Sequence, residues 1–156
     1  MNSAITPTRI LAIDAGTNES AYIVWDGHTV HAKGILPNAD LLALLKSGDL
    51  MPYDHTALEM VACYGMSVGR EVFDTCLWIG RYIERCKTPY RLVYRKDVKL
   101  HLCNSPRAKD GNVRQALIDK HGAQGTKKNP GPLYGVTSHI IAALAVADYA
   151  LEVPAK

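Results

Sequence analysis

The sequence predicts an α/β fold, a mixed five-stranded sheet with helices on both faces. Two observations support this fold class. Three short apolar runs joined by tight turns come first, which is typical of antiparallel strands, and helix and strand patterns then alternate, which is typical of parallel strands. With 156 residues, no internal repeat and no low-complexity stretch, the chain is expected to form one domain over residues 1–156.

The first three strands are predicted over residues 9–14, 20–26 and 28–35. These runs are rich in apolar and β-branched side chains, and short turns connect them. Asp26 and Gly27, between the second and third runs, form a dipeptide typical of tight hairpins. We therefore expect the three strands to pair in an antiparallel arrangement.

A helix is predicted next in the segment ADLLALLKSG, where Asn38 is the expected cap and Gly48 lies near the end. Residues 56–62 form the predicted fourth strand. A long helix is predicted over residues 68–86, because its apolar side chains recur at helical spacing. Ser67 directly precedes it and is its expected cap.

The fifth strand is predicted in the segment YRLVY, residues 90–94. Pro89 lies directly before it and ends the long helix. Two further helices are predicted at about 96–102 and 111–121.

Residues 123–135 are rich in Gly, Pro and Lys and are predicted to form a mobile loop. The last helix is predicted over residues 137–151, with Thr137 or Ser138 as its cap and an almost entirely apolar sequence behind it. The predicted order of elements is therefore βββαβαβααα.

The composition argues against several classes of protein. Hydrophobic residues make up 47% of the chain and charged residues 21%, as in an ordinary globular protein, and no apolar run approaches the roughly 18 residues of a membrane span. Met1 to Ala4 do not resemble a secretory signal, so a cytoplasmic location with reduced thiols is expected. No CxxC pair suggests zinc or a redox dithiol among Cys63, Cys76, Cys86 and Cys103.

Charge is distributed unevenly along the chain. Eleven of the 18 Lys and Arg residues, but only three of the 15 acids, lie in residues 87–128, so this segment carries a net charge of +8. A basic segment on an otherwise acidic body favours a polyanionic partner such as nucleic acid. Chance clustering of solvated charges is the alternative.

Asp14 ends the first predicted strand, and the small residues Ala15, Gly16 and Thr17 follow it. Two chemistries use a strand that ends in this way. One is a turn that binds nucleotide phosphate, and the other is a carboxylate that holds a divalent metal for cleavage of a phosphodiester. The partners that the fold gives to Asp14 decide between them.

Glu59 lies late in the fourth strand, and His139 opens the last helix. Taken singly, Glu59 can face solvent, and a histidine at a helix start is more often structural than catalytic. If strands one and four are parallel neighbours, however, their last residues project from one edge, where ligands bind in open α/β sheets. Asp14, Glu59 and His139 would then form a site for Mg²⁺ or Mn²⁺, with His139 as a ligand or orienting the attacking water.

Four segments resemble, in order, parts of the RuvC-type Holliday junction resolvases, in particular of their phage-encoded relatives. ILAIDAGTNESAYIVW resembles the family's opening strand, and ALEMV resembles its strand with a single glutamate. YRKDVKLHLCNSPRAKDGNVRQAL resembles the basic segment that holds DNA, and SHIIAALAVADYAL resembles the closing helix. The resemblance implies a ribonuclease H-like fold and a homodimer that resolves four-way (Holliday) and related branched DNA junctions by paired, metal-dependent cuts.

The resemblance gives Asp14 and Glu59 the roles of metal ligands. His139 takes the position of the first acid of the closing helix, a substitution that some resolvases share, and Ala142 replaces the final acid. Asp148 cannot replace that acid, because nine residues, or about 900°, place it on the opposite helix face from His139. Asp110 is a candidate for the missing carboxylate, although a helix cap is its ordinary role.

The resemblance also implies a cofactor, Mg²⁺ with Mn²⁺ able to substitute, and the use of two ions about 4 Å apart. Two such ions can activate a water and stabilise the leaving 3′ oxygen of a phosphodiester. If Asp110 is not a ligand, DNA phosphate and water would have to complete the coordination of the second ion. No nucleotide cofactor is expected.

The basic segment provides candidates for contacts with the DNA backbone, where cations position a substrate without reading its sequence. They are Lys96, Lys99, Arg107, Lys109 and Arg114. Tyr64 lies where the family has a loop that inserts an apolar or aromatic group at the crossover, with a buried tyrosine as the alternative. The helix over 68–86 is a candidate dimer face, with ordinary core packing as the alternative.

Three other functions stay open at this point. The segment IDAGT also resembles the phosphate-binding turn of actin-like ATPases and sugar kinases, although this chain has room for only one of their two halves. Ala142 makes a DNA-binding module without catalysis conceivable. A third alternative is another nuclease of the same fold that acts on RNA–DNA hybrids or flaps.

Overall fold

The structure is a computed structural model and describes residues 6–156. The segment from Met1 to Ala4, on which the expectation of no secretory signal rests, lies outside the described residues. The strands are β1 (Ile10–Asp14), β2 (Glu19–Trp25), β3 (Val30–Pro37), β4 (His55–Met60) and β5 (Tyr90–Tyr94). The helices are α1 (Asn38–Ser47), α2 (Arg70–Arg85), α3 (Arg95–Cys103), α4 (Asp110–His121) and α5 (His139–Glu152).

The five strands form one mixed sheet in the order β3-β2-β1-β4-β5. β1, β2 and β3 pair antiparallel, whereas β1 pairs parallel with β4 and β4 pairs parallel with β5. The predicted arrangement of the strands is therefore confirmed, including the parallel pairing of the first and fourth strands. The ends of β4 differ from the prediction, since the strand ends at Met60 rather than at residue 62.

Helices cover both faces of the sheet, as predicted. Side chains alternate between the faces of a strand, so Ile10 and Ala12 of β1 pack with the core beneath α3, α4 and α5. Leu11 and Ile13 point the other way and pack with the core beneath α1 and α2. The strand that ends in Asp14 is thus buried on both faces.

Three helix caps predicted from the sequence are wrong. Asn38 is the first residue of α1 rather than its cap, and its side chain points into the protein, where it is 2% exposed. Ser67 lies three residues before α2, which begins after Gly69 without a side-chain cap. Asp110 is the first residue of α4 and pairs with an arginine instead of capping the helix, while Asn112 accepts a hydrogen bond from the backbone N–H of Lys109.

The segment predicted as a mobile loop contains a tight turn, in which Gly125 and Pro130 form an isolated bridge. Leu133, near its end, is buried in the core on the α5 face. Ser138 occupies the cap position of α5, but its side chain makes no capping hydrogen bond. Across residues 6–156, none of the helices combines the length and the apolar character needed to cross a membrane.

Candidate metal centre

Asp14 and Glu59 lie side by side at one edge of the sheet. β1 and β4 run parallel with Ile13 opposite Leu58, so the next residue of each strand is a carboxylate. Both side chains point to the face covered by α5, because Ala12 and Ala57, two residues earlier, belong to the core on that face. Only 14% of the Asp14 side chain and 13% of the Glu59 side chain are exposed.

Two carboxylates buried side by side are costly in their charged forms. Burial is the largest cause that raises the pKa of Glu59 to about 7, and the neighbouring Asp14 carboxylate raises it further. Burial also raises the pKa of Asp14, although His139 opposes that rise. The pair therefore lacks part of the positive charge that would stabilise two carboxylates.

His139 is the first residue of α5 and lies next to Asp14. Its Nδ1 is 3.0 Å from Asp14 Oδ2, while 71% of its side chain is exposed. Ser138, directly before it, has a φ of 51°, a conformation that L residues other than glycine rarely adopt. The imidazole thus lies at the mouth of the site, with one ring nitrogen bound to Asp14.

Arg95 also belongs to the site, although the sequence indicates only that it is part of the basic segment. It begins α3 directly after β5, and its Nη1 lies 3.6 Å from Glu59 Oε1. Its Nη2 donates to Asp110 Oδ1. The signal for this residue was its position, since β5 lies parallel to β4 and therefore ends at the edge that holds Glu59.

Asp110 enters the site through Arg95 rather than beside Asp14. Its side chain is 74% exposed, and the hydrogen bond from Arg95 is the largest cause that holds the pKa of its carboxyl below the usual range. A carboxylate that is paired and exposed in this way differs from the buried pair of Asp14 and Glu59. The structure therefore brings Asp14, Glu59, His139 and Asp110 to one end of the sheet. Arg95 lies between Glu59 and Asp110.

A buried polar network supports the turn after Asp14. The backbone N–H of Gly16 donates to Ser20 Oγ at 3.3 Å, and Ser20 Oγ donates to Asn38 Oδ1 at 2.6 Å. Asn38 Nδ2 returns a hydrogen bond to the carbonyl of Gly16 at 2.9 Å, and Tyr82 Oη donates to Asn38 Oδ1 at 3.1 Å. This network fixes the chain immediately behind Asp14, and the sequence did not reveal it, because its members come from β2, α1 and α2.

A cavity of about 520 Å³ opens beside these residues between α3, α4 and α5. Its apolar lining includes Val98, Val113 and Val146. Lys99 and Arg114, both predicted to contact DNA, line it together with Glu59, Arg95, Asp110 and His139. Ala142 also lines the cavity and provides no ligand atom from its side chain.

The other predicted DNA contacts lie on the surface. Lys96, Arg107 and Lys109 are exposed, and Lys96 Nζ lies 5.9 Å from the centre of the Tyr64 ring. Tyr64 is 59% exposed in the segment between β4 and α2, so the alternative of a buried tyrosine is wrong. Two further cations of the basic segment are engaged inside the fold, since Arg91 donates to the carbonyl of Val153 and Lys120 contacts Asp148 at 2.9 Å.

Asp148 lies far along α5 and takes no part in the site, as the helical spacing predicted. It is 1% exposed, and both Lys120 Nζ and His121 Nε2 donate to it, at 2.9 and 2.6 Å. His101 Nε2 and Lys120 Nζ contact Glu152, one turn further along α5. We call these five residues, His101, Lys120, His121, Asp148 and Glu152, the balanced cluster.

The residues at the site fit a divalent cation. Mg²⁺ prefers carboxylate oxygens and tolerates few protein ligands, and Asp14 and Glu59 offer such oxygens side by side. Burial and the neighbouring Asp14 raise the pKa of Glu59 to about 7, so a bound cation would stabilise its charged form. His139 adds a nitrogen donor at the open side of the pair.

Solved structures of similar fold include two of RuvC and one of a Holliday junction resolvase. RuvC from Thermus thermophilus superposes with a TM-score of 0.63 at 17% identity, over 92% of this chain and 96% of that chain. The same protein in complex with a Holliday junction substrate gives a TM-score of 0.67 at 16% identity, over 90% of each chain. The yeast mitochondrial Holliday junction resolvase Ydc2 gives 0.57 at 12% identity, over 94% of this chain and 80% of that chain.

No protein-family model and no curated protein matches the sequence. Because the identities are only 12 to 17%, these matches show a shared fold and nothing more. The fold predicted from the sequence is confirmed by the strand order, by helices on both faces and by coverage of nearly the whole chain. This chain has the ribonuclease H-like fold of the RuvC structures.

Proposed function

We propose that this protein is a metal-dependent, structure-selective endodeoxyribonuclease that resolves four-way (Holliday) and related branched DNA junctions. The observation that carries the proposal is the pair of largely buried carboxylates, Asp14 and Glu59, near the ends of two parallel strands, with His139 beside Asp14. The shared fold of RuvC, one structure of which contains a Holliday junction substrate, supports DNA of this shape as the substrate.

The proposed ion is Mg²⁺, for which Mn²⁺ can substitute, held by Asp14, Glu59 and His139. When bound, such an ion supplies Lewis-acid stabilisation of phosphate charge and a water of lowered pKa. In the hydrolysis, a water oxygen joins the phosphorus, the P–O3′ bond breaks, and the 3′ oxygen takes up a proton. His139 uses Nδ1 to orient Asp14, and its exposed ring offers Nε2 to the ion or to the attacking water.

The DNA backbone is proposed to lie across α3, α4 and the segment between them. Lys96, Lys109 and Arg107 are exposed there, and Lys99 and Arg114 line the cavity beside the carboxylates. Cations in such positions hold phosphates next to the cleavage site. Tyr64 is exposed beside Lys96 and is proposed to stack on an unpaired base at the crossover.

A homodimer is proposed because two coordinated cuts in a two-fold symmetric junction need two identical sites. On α2, Thr75, Ile79 and Tyr82 are buried in the core, but Phe73 and Leu77 are 66% and 60% exposed on another side of the helix. Large apolar side chains one turn apart on an exposed helix favour a partner surface. A change of Phe73→Asp is expected to give monomers in sedimentation and uncoordinated nicks instead of paired cuts.

The proposed location is the cytoplasm of a bacterial or phage-infected cell, where branched DNA arises and where the four free cysteines would stay reduced. A specific observation favours one alternative function. Ala142 leaves the site with fewer carboxylates than the family pattern implies, so a DNA-binding protein without catalysis is the second candidate.

The test is incubation of the wild-type protein with end-labelled four-way junction, linear duplex, flap and RNA–DNA hybrid, in Mg²⁺ or in Mn²⁺. We expect paired cuts at the crossover of the junction and none in the duplex. Asp14→Asn should lower the rate by about 10²–10³-fold, as the loss of stabilisation of transition-state charge does elsewhere. Asp40→Asn, on the surface of α1, is the matched control.

Junction binding without cleavage by the wild type would establish the second candidate. Cleavage that survives Asp14→Asn would contradict the catalytic assignment. Preference for hybrids or flaps would move the protein to another nuclease class, and specific ATP binding without DNA binding would favour the nucleotide-binding alternative.

A further inference from the structure

Arg95 places a positive charge beside the carboxylate pair. Its guanidinium contacts Glu59 on one side and Asp110 on the other, and all three residues line the cavity between α3, α4 and α5. A guanidinium stays charged at any physiological pH and presents several N–H donors in a fixed plane. Positive charge is therefore already built into one side of the carboxylate pair.

The described side chains offer few protein ligands for a second dication. Asp14 and Glu59 are the two carboxylates that lie together, and Asp110 is engaged by Arg95. Ala142 lines the cavity from α5 without a donor atom in its side chain. Two-metal sites clamp both the attacking and the leaving oxygens of the reacting phosphate.

Resting on the proposed function, we propose that Arg95 binds the reacting phosphate in place of a second divalent ion, so that each site takes one ion and one guanidinium. Guanidinium groups bind phosphate through two parallel hydrogen bonds and stabilise the charge that develops on it. Asp110 is then a positioning residue, which holds Arg95 at the mouth of the cavity rather than binding metal. This inference replaces the expectation of two ions per site.

The geometry makes Arg95 a competitor of the metal as well as a partner of the substrate. In the structure its guanidinium lies 3.6 Å from Glu59, an oxygen ligand of the proposed ion. Removal of this charge should tighten the binding of a divalent cation while it weakens cleavage. A residue that only held α4 in place would not produce these two opposite effects.

The experiment measures Mn²⁺ bound per chain by electron paramagnetic resonance of the free ion. It uses the full chain alone and with a four-way junction whose 3′ bridging oxygens at the crossover are replaced by methylene, so that the P–C bond resists hydrolysis. We expect one Mn²⁺ per wild-type chain with this junction. Arg95→Gln should bind Mn²⁺ about tenfold more tightly without DNA and cut an ordinary junction about 10²-fold more slowly.

Arg114→Gln is the matched control, because Arg114 lines the same cavity but donates to Gln124 rather than to a carboxylate. It should leave Mn²⁺ affinity unchanged. Arg95→Lys keeps the positive charge but loses the two parallel N–H donors of the guanidinium. Compared with Arg95→Gln, it should restore wild-type Mn²⁺ affinity but only part of the cleavage rate. Asp110→Asn should not change the number of ions bound.

Two Mn²⁺ per wild-type chain with the uncleavable junction would overturn the inference, and so would unchanged Mn²⁺ affinity in Arg95→Gln. The measurement without DNA does not depend on the substrate. If the wild type cuts no junction, the proposed function fails, while tightening of Mn²⁺ in Arg95→Gln would still show Arg95 competing for the metal site.

Discussion

Carboxylates with little exposure lie at both ends of α5, but their pKa values shift in opposite directions. In the balanced cluster at the C-terminal end, burial pushes the pKa of Asp148 upward, but hydrogen bonds from His121 and Lys120 bring it below the usual range. At the N-terminal end, burial and the adjacent Asp14 raise the pKa of Glu59 to about 7. At the C-terminal end, cationic side chains of the fold stabilise the charged form of Asp148. At the N-terminal end, the charged form of Glu59 remains unfavourable and would be stabilised by a bound cation.

This difference shows why ligand spacing alone is a poor guide to a metal site. Ligand atoms of His101, Asp148 and Glu152 lie within 4.8 Å of one another, a spacing that a metal ion could use. However, the Lys120 ammonium contacts both carboxylates of that group. Acids that are already matched by a cation stabilise the fold, whereas unmatched buried acids are what a functional cation can exploit.

The largest expected effect on stability is in the balanced cluster. Asp148→Asn should lower the free energy of unfolding by about 3–5 kcal/mol at pH 7, because it leaves Lys120 and His121 without their buried partner. Urea denaturation measures this change, and Asp119→Asn, on the exposed surface of α4, is the control. A loss below about 1 kcal/mol would mean that the cluster does not stabilise the fold.

Glu59→Gln should have the opposite sign. A carboxyl whose pKa is raised to about 7 in the folded state, against 4.5 for a free glutamate, favours the neutral form in the native protein. Its charged form destabilises the fold progressively between these two values, and fully above the higher one. The variant should be about 1–3 kcal/mol more stable than the wild type at pH 8 and equal to it at pH 4.

The same pair of urea measurements, repeated at pH 4 and pH 8, separates the two ends of α5. A Glu59→Gln variant that is less stable than the wild type at pH 8 would show that Glu59 already has a sufficient countercharge in Arg95.

Addition of Mg²⁺ should give a smaller effect, confined to one end of α5. Binding to the native state alone raises stability by about 1 kcal/mol once the ion is a few times above its dissociation constant. The wild type and Asp148→Asn should show the same rise in melting temperature at 10 mM Mg²⁺, whereas Glu59→Gln should show none. Equal rises in all three proteins would place the bound ion elsewhere.

The smallest effect concerns the backbone at the start of α5. Ser138 has a φ of 51° and a ψ of −133°, which favour glycine, so Ser138→Gly should stabilise the protein by about 1 kcal/mol or less. It should also reduce cleavage, because the chain before His139 becomes less constrained. Thermal unfolding and a junction assay on the same preparation test both effects, and destabilisation would show that the side chain of Ser138 is needed there.

Site residues could be predicted from the sequence when the geometry of a single strand or helix is enough to position them. Asp14 is the last residue of β1 and Glu59 the penultimate residue of the parallel strand β4, and the alternation of side chains in each strand is enough to bring them to one face. The position of Asp148 away from His139 also followed from helical spacing. These predictions needed only the order of the elements and the repeat of each one.

The rest depended on contacts between elements that are distant in sequence. Arg95 joins the site because β5 lies beside β4, and Asp110 reaches it because α4 packs against the start of α3. Asn38 was predicted as a helix cap, but the buried hydroxyls of Ser20 and Tyr82 bind its side chain instead. A local preference for capping was thus overridden by a polar network that no single segment of the sequence displays.

Cleavage of DNA should require the carboxylates of Asp14 and Glu59 but not that of Asp148. The most direct test compares cleavage of a labelled four-way junction in Mg²⁺ by the wild type, Glu59→Gln and Asp148→Asn, at a temperature where all three are folded. Our expectation is that Asp148→Asn cuts within about threefold of the wild-type rate, while Glu59→Gln loses about 10²–10³-fold. A folded Glu59→Gln that still cuts the junction, beside a folded Asp148→Asn that does not, would contradict it.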